Sequence, residues 1–178
     1  TKPFSLASSR SECHPADVVR VRPSGSLILL CGLPGSGKTT VARRLEGELD
    51  AVRFCPDEWM ARLGIDLFDQ QARAEIEALQ WELAQRLLRG GDTVVIEWGV
   101  WRRSERDELR SAARRLGARV ELRYLDVPLE VRWARVRDRG MEQRLGTGAL
   151  THQNLVEYDE MFEPPTDAEL ALYDPPST

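Results

Sequence analysis

The chain is 178 residues long, 42% hydrophobic and 30% charged, with a formal net charge of -4. That length makes one domain with room for a real core, too short for two enzyme domains in series. The composition excludes disordered, collagen-like and membrane-embedded classes. The net charge excludes a global positive field for collecting nucleic acid or an anionic membrane, so a nucleic-acid partner would need a local basic patch, and since nothing in the sequence marks an interface a monomer is expected. Of the 25 basic residues only Lys2 and Lys38 are lysine, which makes Lys38 a mid-chain position where arginine did not serve. Cys13, Cys31 and Cys55 are unclustered and lack CxxC spacing. Neither a disulfide framework nor a zinc site is implied, and with no apolar run of signal or membrane length the expected location is cytoplasmic.

Residues 1–24, rich in serine and proline, read as a flexible leader, with a pairing segment at Val18 to Val21 and the folded domain over 25–178. Ser26 to Cys31 is a buried first strand, followed by a Gly-rich turn and a helix from Lys38 to Leu49. Val52 to Cys55 is a short second strand. A helix from Gln71 to Arg89 places Ile76, Leu79, Leu83, Leu87 and Leu88 on one side, and Gly90-Gly91 ends it. Thr93 to Glu97 is a third strand, Ser104 to Leu116 a helix, and Arg119 to Leu125 a fourth strand. Pro128 opens a helix toward Arg139, a glycine-containing stretch over about 139–150 reads as a lid, and Thr151 caps the next helix. Leu170 to Tyr173 is the candidate fifth strand. Strands alternating with helices predict an α/β three-layer sandwich of P-loop NTPase type, its five-stranded parallel sheet in order 2-3-1-4-5.

Between the first strand and first helix stands Gly32-Leu33-Pro34-Gly35-Ser36-Gly37-Lys38-Thr39, a match to GxxxxGK[ST] in the required strand-then-helix context. Gly32, Pro34, Gly35, Ser36 and Gly37 form the loop whose backbone N–H groups, Pro34 having none, would cradle phosphates at a helix N-terminus. Lys38 would bring a compact ammonium to the β/γ-phosphates, where a planar guanidinium has the wrong shape. Thr39 offers a hydroxyl to Mg²⁺, and Thr40 stands in the same turn as a further phosphate contact. ATP with magnesium is the expected cofactor. A GTPase is excluded because its NKxD signature needs a lysine after Lys38.

The P-loop, together with Phe54 to Glu58, Val94 to Glu97, and Leu125 to Arg132 running into Arg135 and Arg139, resembles the AAA_33-type P-loop kinases. That group includes the kinase domain of phage-type polynucleotide kinase, chloramphenicol phosphotransferase and, more distantly, the zeta toxins. The resemblance spans about Leu27 to Pro165 and implies an ATP-dependent kinase. It implies that Asp57, at the rim where open α/β sheets place ligands, takes the proton of the acceptor hydroxyl; Glu58 is an alternative base, and a capping role for Asp57 is compatible with either. It also implies that Arg139, with Arg135, binds nucleotide and stabilises phosphoryl charge. Glu97 stands where many P-loop proteins carry an acidic metal-side residue, and is a candidate for magnesium or substrate. Trp98 and Trp101 are candidate walls of an acceptor pocket; the resemblance implies that one of Arg102, Arg103 and Arg106, Arg103 being the choice, steers the acceptor or binds phosphate, and the residues themselves read as a solvated first helical turn. Asp57, Glu58, Asp66, Asp69, Glu75, Glu77 and Glu97 against Arg62 and Arg73 read as an acidic acceptor wall. That wall favours a neutral or cationic hydroxylated small molecule, such as an antibiotic, amino sugar or other metabolite. A 5'-hydroxyl polynucleotide kinase and an ATP-binding regulatory module without phosphotransfer are the alternatives.

Overall fold

A computed structural model describes residues 24–138 and 150–177. The leader and the lid, with Arg139, therefore lie outside the described residues. In chain order the elements are β1 (Ser26–Cys31), α1 (Lys38–Leu49), β2 (Val52–Phe54), α2 (Pro56–Leu63), α3 (Gln70–Gly90), β3 (Thr93–Gly99), α4 (Arg103–Arg115), β4 (Arg119–Tyr124), α5 (Leu129–Asp138), α6 (His152–Met161) and α7 (Asp167–Leu170).

The strands form one parallel sheet in the order β2-β3-β1-β4. A central parallel strand is covered on both faces, so it reads as an unbroken apolar run, and Leu27 through Cys31 are fully buried. Alternation then sends Ile28 and Leu30 with Val95 toward Ala42 and Leu45 of α1. Leu27, Leu29 and Ile96 face the other way, toward Ala84 and Leu88 of α3 and Leu109 and Ala113 of α4. Val136 of α5 packs with Leu155 of α6 in a smaller cluster beside the P-loop.

The buried stripe of α3 departs from the expected one. It is Ile76, Gln80, Ala84 and Leu88, a spacing of four, while Leu79 and Leu83 are exposed. Gln80 takes a core position because its Oε1 accepts from the Trp98 indole N–H at 2.9 Å, which satisfies a buried acceptor that would otherwise be costly.

The fifth strand is also corrected. Thr166 caps α7, accepting from the Glu169 N–H at 3.2 Å, and the chain turns through Leu172 and Tyr173. Beyond it, Asp174 covers the outer edge of β4 with one backbone bond to the Val120 carbonyl (2.8 Å) and one from the Val120 N–H to its own carboxylate (2.7 Å). Pro175 and Pro176 have no N–H to continue a ladder, so the edge is covered by an irregular strap rather than a strand.

Arg106 of α4 is fully buried and pairs with Glu169 of α7 through both carboxylate oxygens, at 2.6 and 3.0 Å. Its remaining nitrogen donates to the carbonyls of Val100 and Trp101, each at 3.1 Å. Arg106 is thus neither a solvated first-turn residue nor an acceptor-steering one: it ties the C-terminal segment to the turn after β3. Removing one partner of such a pair strands a buried charge, at about 3–5 kcal/mol. Glu169→Ala should lower the urea midpoint accordingly, whereas the exposed pair partner Asp138→Ala should leave it within error.

Candidate active site

The P-loop lies at the carboxyl end of β1, where the sheet opens. Gly35 has φ 82°, and a Cβ there would stand 2.7 Å from the Arg132 carbonyl, so only glycine lets α5 lie directly on the loop. Arg132 itself is buried, reaches the Asp159 carboxylate at 2.6 Å and the Val127 carbonyl at 2.9 Å, and so locks α5 to α6. One turn on, Arg135 lays its guanidinium over the loop, 3.3 Å from the Gly35 carbonyl and 3.4 Å from that of Ser36. Lys38 closes the loop by donating to the Leu33 carbonyl at 3.1 Å. Burial pushes its ammonium below the ordinary lysine value, and the charges of Glu97 and Asp57 oppose that shift. The Ser36 hydroxyl is buried with no hydrogen-bond partner among the described residues. Thr40 is exposed on α1, outside the cleft.

Between Leu29 and Cys31 of β1 the partner strand gains a residue, a bulge that falls at Glu97 and Trp98. Bulges of this kind re-aim side chains. Glu97 points back to the P-loop helix and accepts a short hydrogen bond from the Thr39 hydroxyl through Oε1. Its Oε2 accepts from Arg53 of β2 at 2.9 Å. Arg53, nearly buried, also reaches Glu58 at 2.7 Å and Glu46 at 3.3 Å. Burial opposes its charge, but the bonds to Glu58 and Glu97 hold it well above the usual arginine range. The sequence reading gave Arg53 no role; the signal was an arginine inside a strand, next to Phe54, which pairs with Ile96. Glu58 is committed to Arg53 and, at 3.1 Å, to Arg43, and does not line the cleft. Burial alone would raise its pKa, but those two arginines hold it below the ordinary value.

Cys55, not Asp57, is the N-cap of α2, and Asp57 stands in the first turn, where the helix dipole favours an anion. Arg73 of α3 donates to Asp57 Oδ1 at 2.6 Å and to the Leu67 carbonyl at 3.1 Å. Arg73 thus holds Asp57, a residue of the cleft wall, by one carboxylate oxygen. That cleft, of about 1080 Å³, brings together Gly35, Gly37, Lys38, Thr39, Asp57, Arg73, Glu97, Trp98 and Trp101. Trp101 packs on Tyr158 at 4.9 Å between ring centres, and Gly99 is required beside it, since a Cβ there would stand 2.7 Å from the indole nitrogen. Val100 follows at φ 40°, an unfavourable conformation for a β-branched residue, held by the Arg106 bond to its carbonyl. Arg103 turns away onto Asp107 at 3.5 Å, and its backbone N–H donates to the Glu163 carboxylate at 2.9 Å; Arg102 lines the cleft instead. The thiols of Cys31 and Cys55 are buried and pushed up to about 11 by that burial, so both are poor nucleophiles. His152 sits against Trp133 and Glu130, remote from any ligand set.

The expected acidic wall is thinner than its sequence suggests. Of the seven carboxylates only Asp57, Glu77 and Glu97 line the cleft, and Asp57 and Glu97 are paired. Asp69 caps α3 through the Ala72 N–H and Asp66 accepts from the Phe68 N–H.

The profile of the AAA_33 family, an AAA domain, matches residues 27–165. The chain belongs to the AAA_33 family. No curated protein matches it. Among solved structures this AAA_33 chain is similar to a gluconokinase from Sinorhizobium meliloti 1021, at 24% identity and TM-score 0.54 over 82% of this chain and 79% of that one. It is similar to Chaetomium thermophilum Kti12 in complex with ADP-AlF3, at 21% and 0.62 over 80% and 82%. A third likeness is to the Mycobacterium tuberculosis APS kinase CysC bound to AMPPNP and APS, at 22% and 0.55 over 78% and 99%. These likenesses show the fold, an α/β P-loop NTPase-like sheet with helices on both faces. No helix among the described residues is long and apolar enough to cross a membrane.

Burial pushes the Glu77 carboxyl up to about 7; Arg73 opposes the shift, and the charges of Glu105 and Asp57 add to it. An acid raised in the fold binds more protons there than when unfolded, so its contribution to stability falls as pH rises from 4.5 toward 7. Glu77→Gln removes that cost. It should gain about 1–3 kcal/mol at pH 8 and close to nothing at pH 4.5, seen as a Tm difference from wild type that grows with pH. A difference independent of pH would contradict this.

Proposed function

We propose that this AAA_33 protein is an ATP-dependent kinase that transfers the γ-phosphoryl group to a hydroxyl of a neutral small molecule. One observation carries the reading: Lys38 and Thr39 of the phosphate nest and the Asp57 carboxylate open into the same cleft. A phosphate-binding loop alone would serve a switch. A carboxylate placed opposite it, at the rim of the sheet, supplies a base for an incoming hydroxyl.

In this account the backbone of Gly35 to Lys38 and the α1 N-terminus hold the β-phosphate, and Lys38 leaves the Leu33 carbonyl for phosphate oxygens. The unpartnered Ser36 hydroxyl turns to the same ligand. Asp57 Oδ2 accepts the hydroxyl proton as the acceptor oxygen attacks the γ-phosphorus and the bond to the β-bridging oxygen breaks, leaving ADP. Arg73 keeps Asp57 in register through Oδ1. Arg135 already lies over the loop, where its fork can meet phosphate or the nucleotide base; Arg139, next on the same helix pattern, is the further candidate.

The donor set fits magnesium. Thr39 and Glu97 offer only oxygen, and no cluster of three metal-binding side chains exists among the described residues, as suits an ion that keeps its waters and leans on nucleotide phosphates. When bound, it would neutralise charge between the β- and γ-phosphates. Arg53 holds Glu97 beside Thr39 for that purpose and offsets its charge.

The acceptor is read from the cleft's charge. With Asp57 on Arg73 and Glu97 on Arg53, the other carboxylates of the cleft, Glu77, Glu105 and Glu108, stand against Lys38, Arg102 and Arg115, so little net charge remains. A neutral hydroxyl compound suits this better than a cation or a nucleic-acid end. Asp57→Asn should lower phosphoryl transfer by about 10²–10⁴-fold and leave the Kd for ATP within twofold. Transfer rates are to be measured on a panel of neutral hydroxyl compounds with a 5'-hydroxyl oligonucleotide for contrast. Full activity in the variant would remove Asp57 from the chemistry.

A further inference from the structure

We propose that the acceptor carries an apolar body as well as its hydroxyl, and that this body lies in the groove between α3 and α4. The inference rests on the phosphotransfer reading above. The cleft does not end at Asp57. It runs on between the two helices, lined by Ala78, Trp81 and Gln85 of α3 and by Leu109, Ala112 and Arg115 of α4.

The groove has a structural cause. In the sheet order β3-β1-β4, α3 lies on β3 and α4 on β4, so their axes stand about two strand spacings apart, roughly 10 Å. Large side chains interdigitate across that distance and close it. Here α3 and α4 contribute alanine at 78 and 112, and the space stays open above Leu109, which is buried in the core. The ten rises of about 1.5 Å from Glu105 to Arg115 correspond to about 15 Å of groove along α4.

Three features select the occupant. The groove is one cavity with Lys38, Thr39 and Asp57, so a molecule presenting its hydroxyl to Asp57 has its remainder directed along it. Trp81, with Ala78, Leu109 and Ala112, gives apolar walls. At the rim Glu108 and Arg115 carry opposite charges, which calls for no net charge on the body between them. The total volume, about 1080 Å³, also exceeds the roughly 300–1,000 Å³ of a pocket for one drug-sized ligand, as a site for a nucleotide and an elongated acceptor should.

The test uses methyl, butyl and hexyl β-glucosides as neutral hydroxyl compounds with a graded apolar tail. Dissociation constants are measured by tryptophan fluorescence on the full chain saturated with a non-hydrolysable ATP analogue. Affinity should rise at least tenfold from methyl to hexyl. Ala112→Trp should flatten the series, and Ala78→Trp, which fills the groove from an exposed position on the facing helix, should flatten it too should the first variant unfold. Leu79→Trp, exposed and outside the cleft, should keep the rise. A flat series in the wild type, or a rise that persists in both groove variants, overturns the proposal. Binding is read here without turnover, so the kinase reading can fail on Asp57→Asn while the groove series stands, and the reverse.

Discussion

A guanidinium stays charged at any ordinary pH, so each arginine a fold buries must bring a carboxylate with it. Among the described residues this chain, which uses arginine for nearly every positive charge, buries Arg106 and Arg132 and nearly buries Arg53, and each pair fixes one side of the cleft. Arg53 and Glu97 set the side of the P-loop helix, holding the carboxylate against Thr39. Arg106 and Glu169 hold the turn that carries Val100 and Trp101. Arg132 and Asp159 clamp α5 onto α6 beside Gly35, and so bring Arg135 over the loop. The planar fork suits this work because one side chain can bond two or three partners at once. Lys38, the lysine within the fold, stands where the partner is to be a phosphate.

Much of this was legible in the sequence because it is local. A strand, a glycine turn and a helix announce the P-loop, and the boundaries of α1 are those expected from its pattern. Asp57 was legible from its place just after a strand. What was not legible depends on contacts far apart in the chain. Nothing near Arg106 marks it for a partner 63 residues away, and its neighbours Arg102 and Arg103 made it look like a solvated turn. Gln80 looks like a surface residue until Trp98 is brought above it. Leu170 to Tyr173 has the composition of a strand, yet the Thr166 cap and the two prolines after Asp174 decide otherwise. Arg73, the partner of Asp57, was counted as mere charge balance because its target lies on another helix.

The same pairing logic changes the chemistry assigned to the cleft. Counted along the chain, seven carboxylates suggest an acidic wall for a neutral or cationic molecule. Placed in space, most cap helices or bind arginines, and what faces the ligand is a nearly neutral surface with three tryptophans. On the proposed phosphotransfer reading, the acceptor would be selected by shape and apolar contact more than by charge.

The most direct measurement is a mass-spectrometric screen of neutral hydroxyl compounds incubated with the protein, ATP and magnesium, run beside the Asp57→Asn protein. The account predicts at least one compound that gains a phosphoryl group in stoichiometry with ADP formed, with the wild type and not with the variant. ATP binding without phosphorylation of any compound in a broad panel, or equal phosphorylation by both proteins, would contradict it.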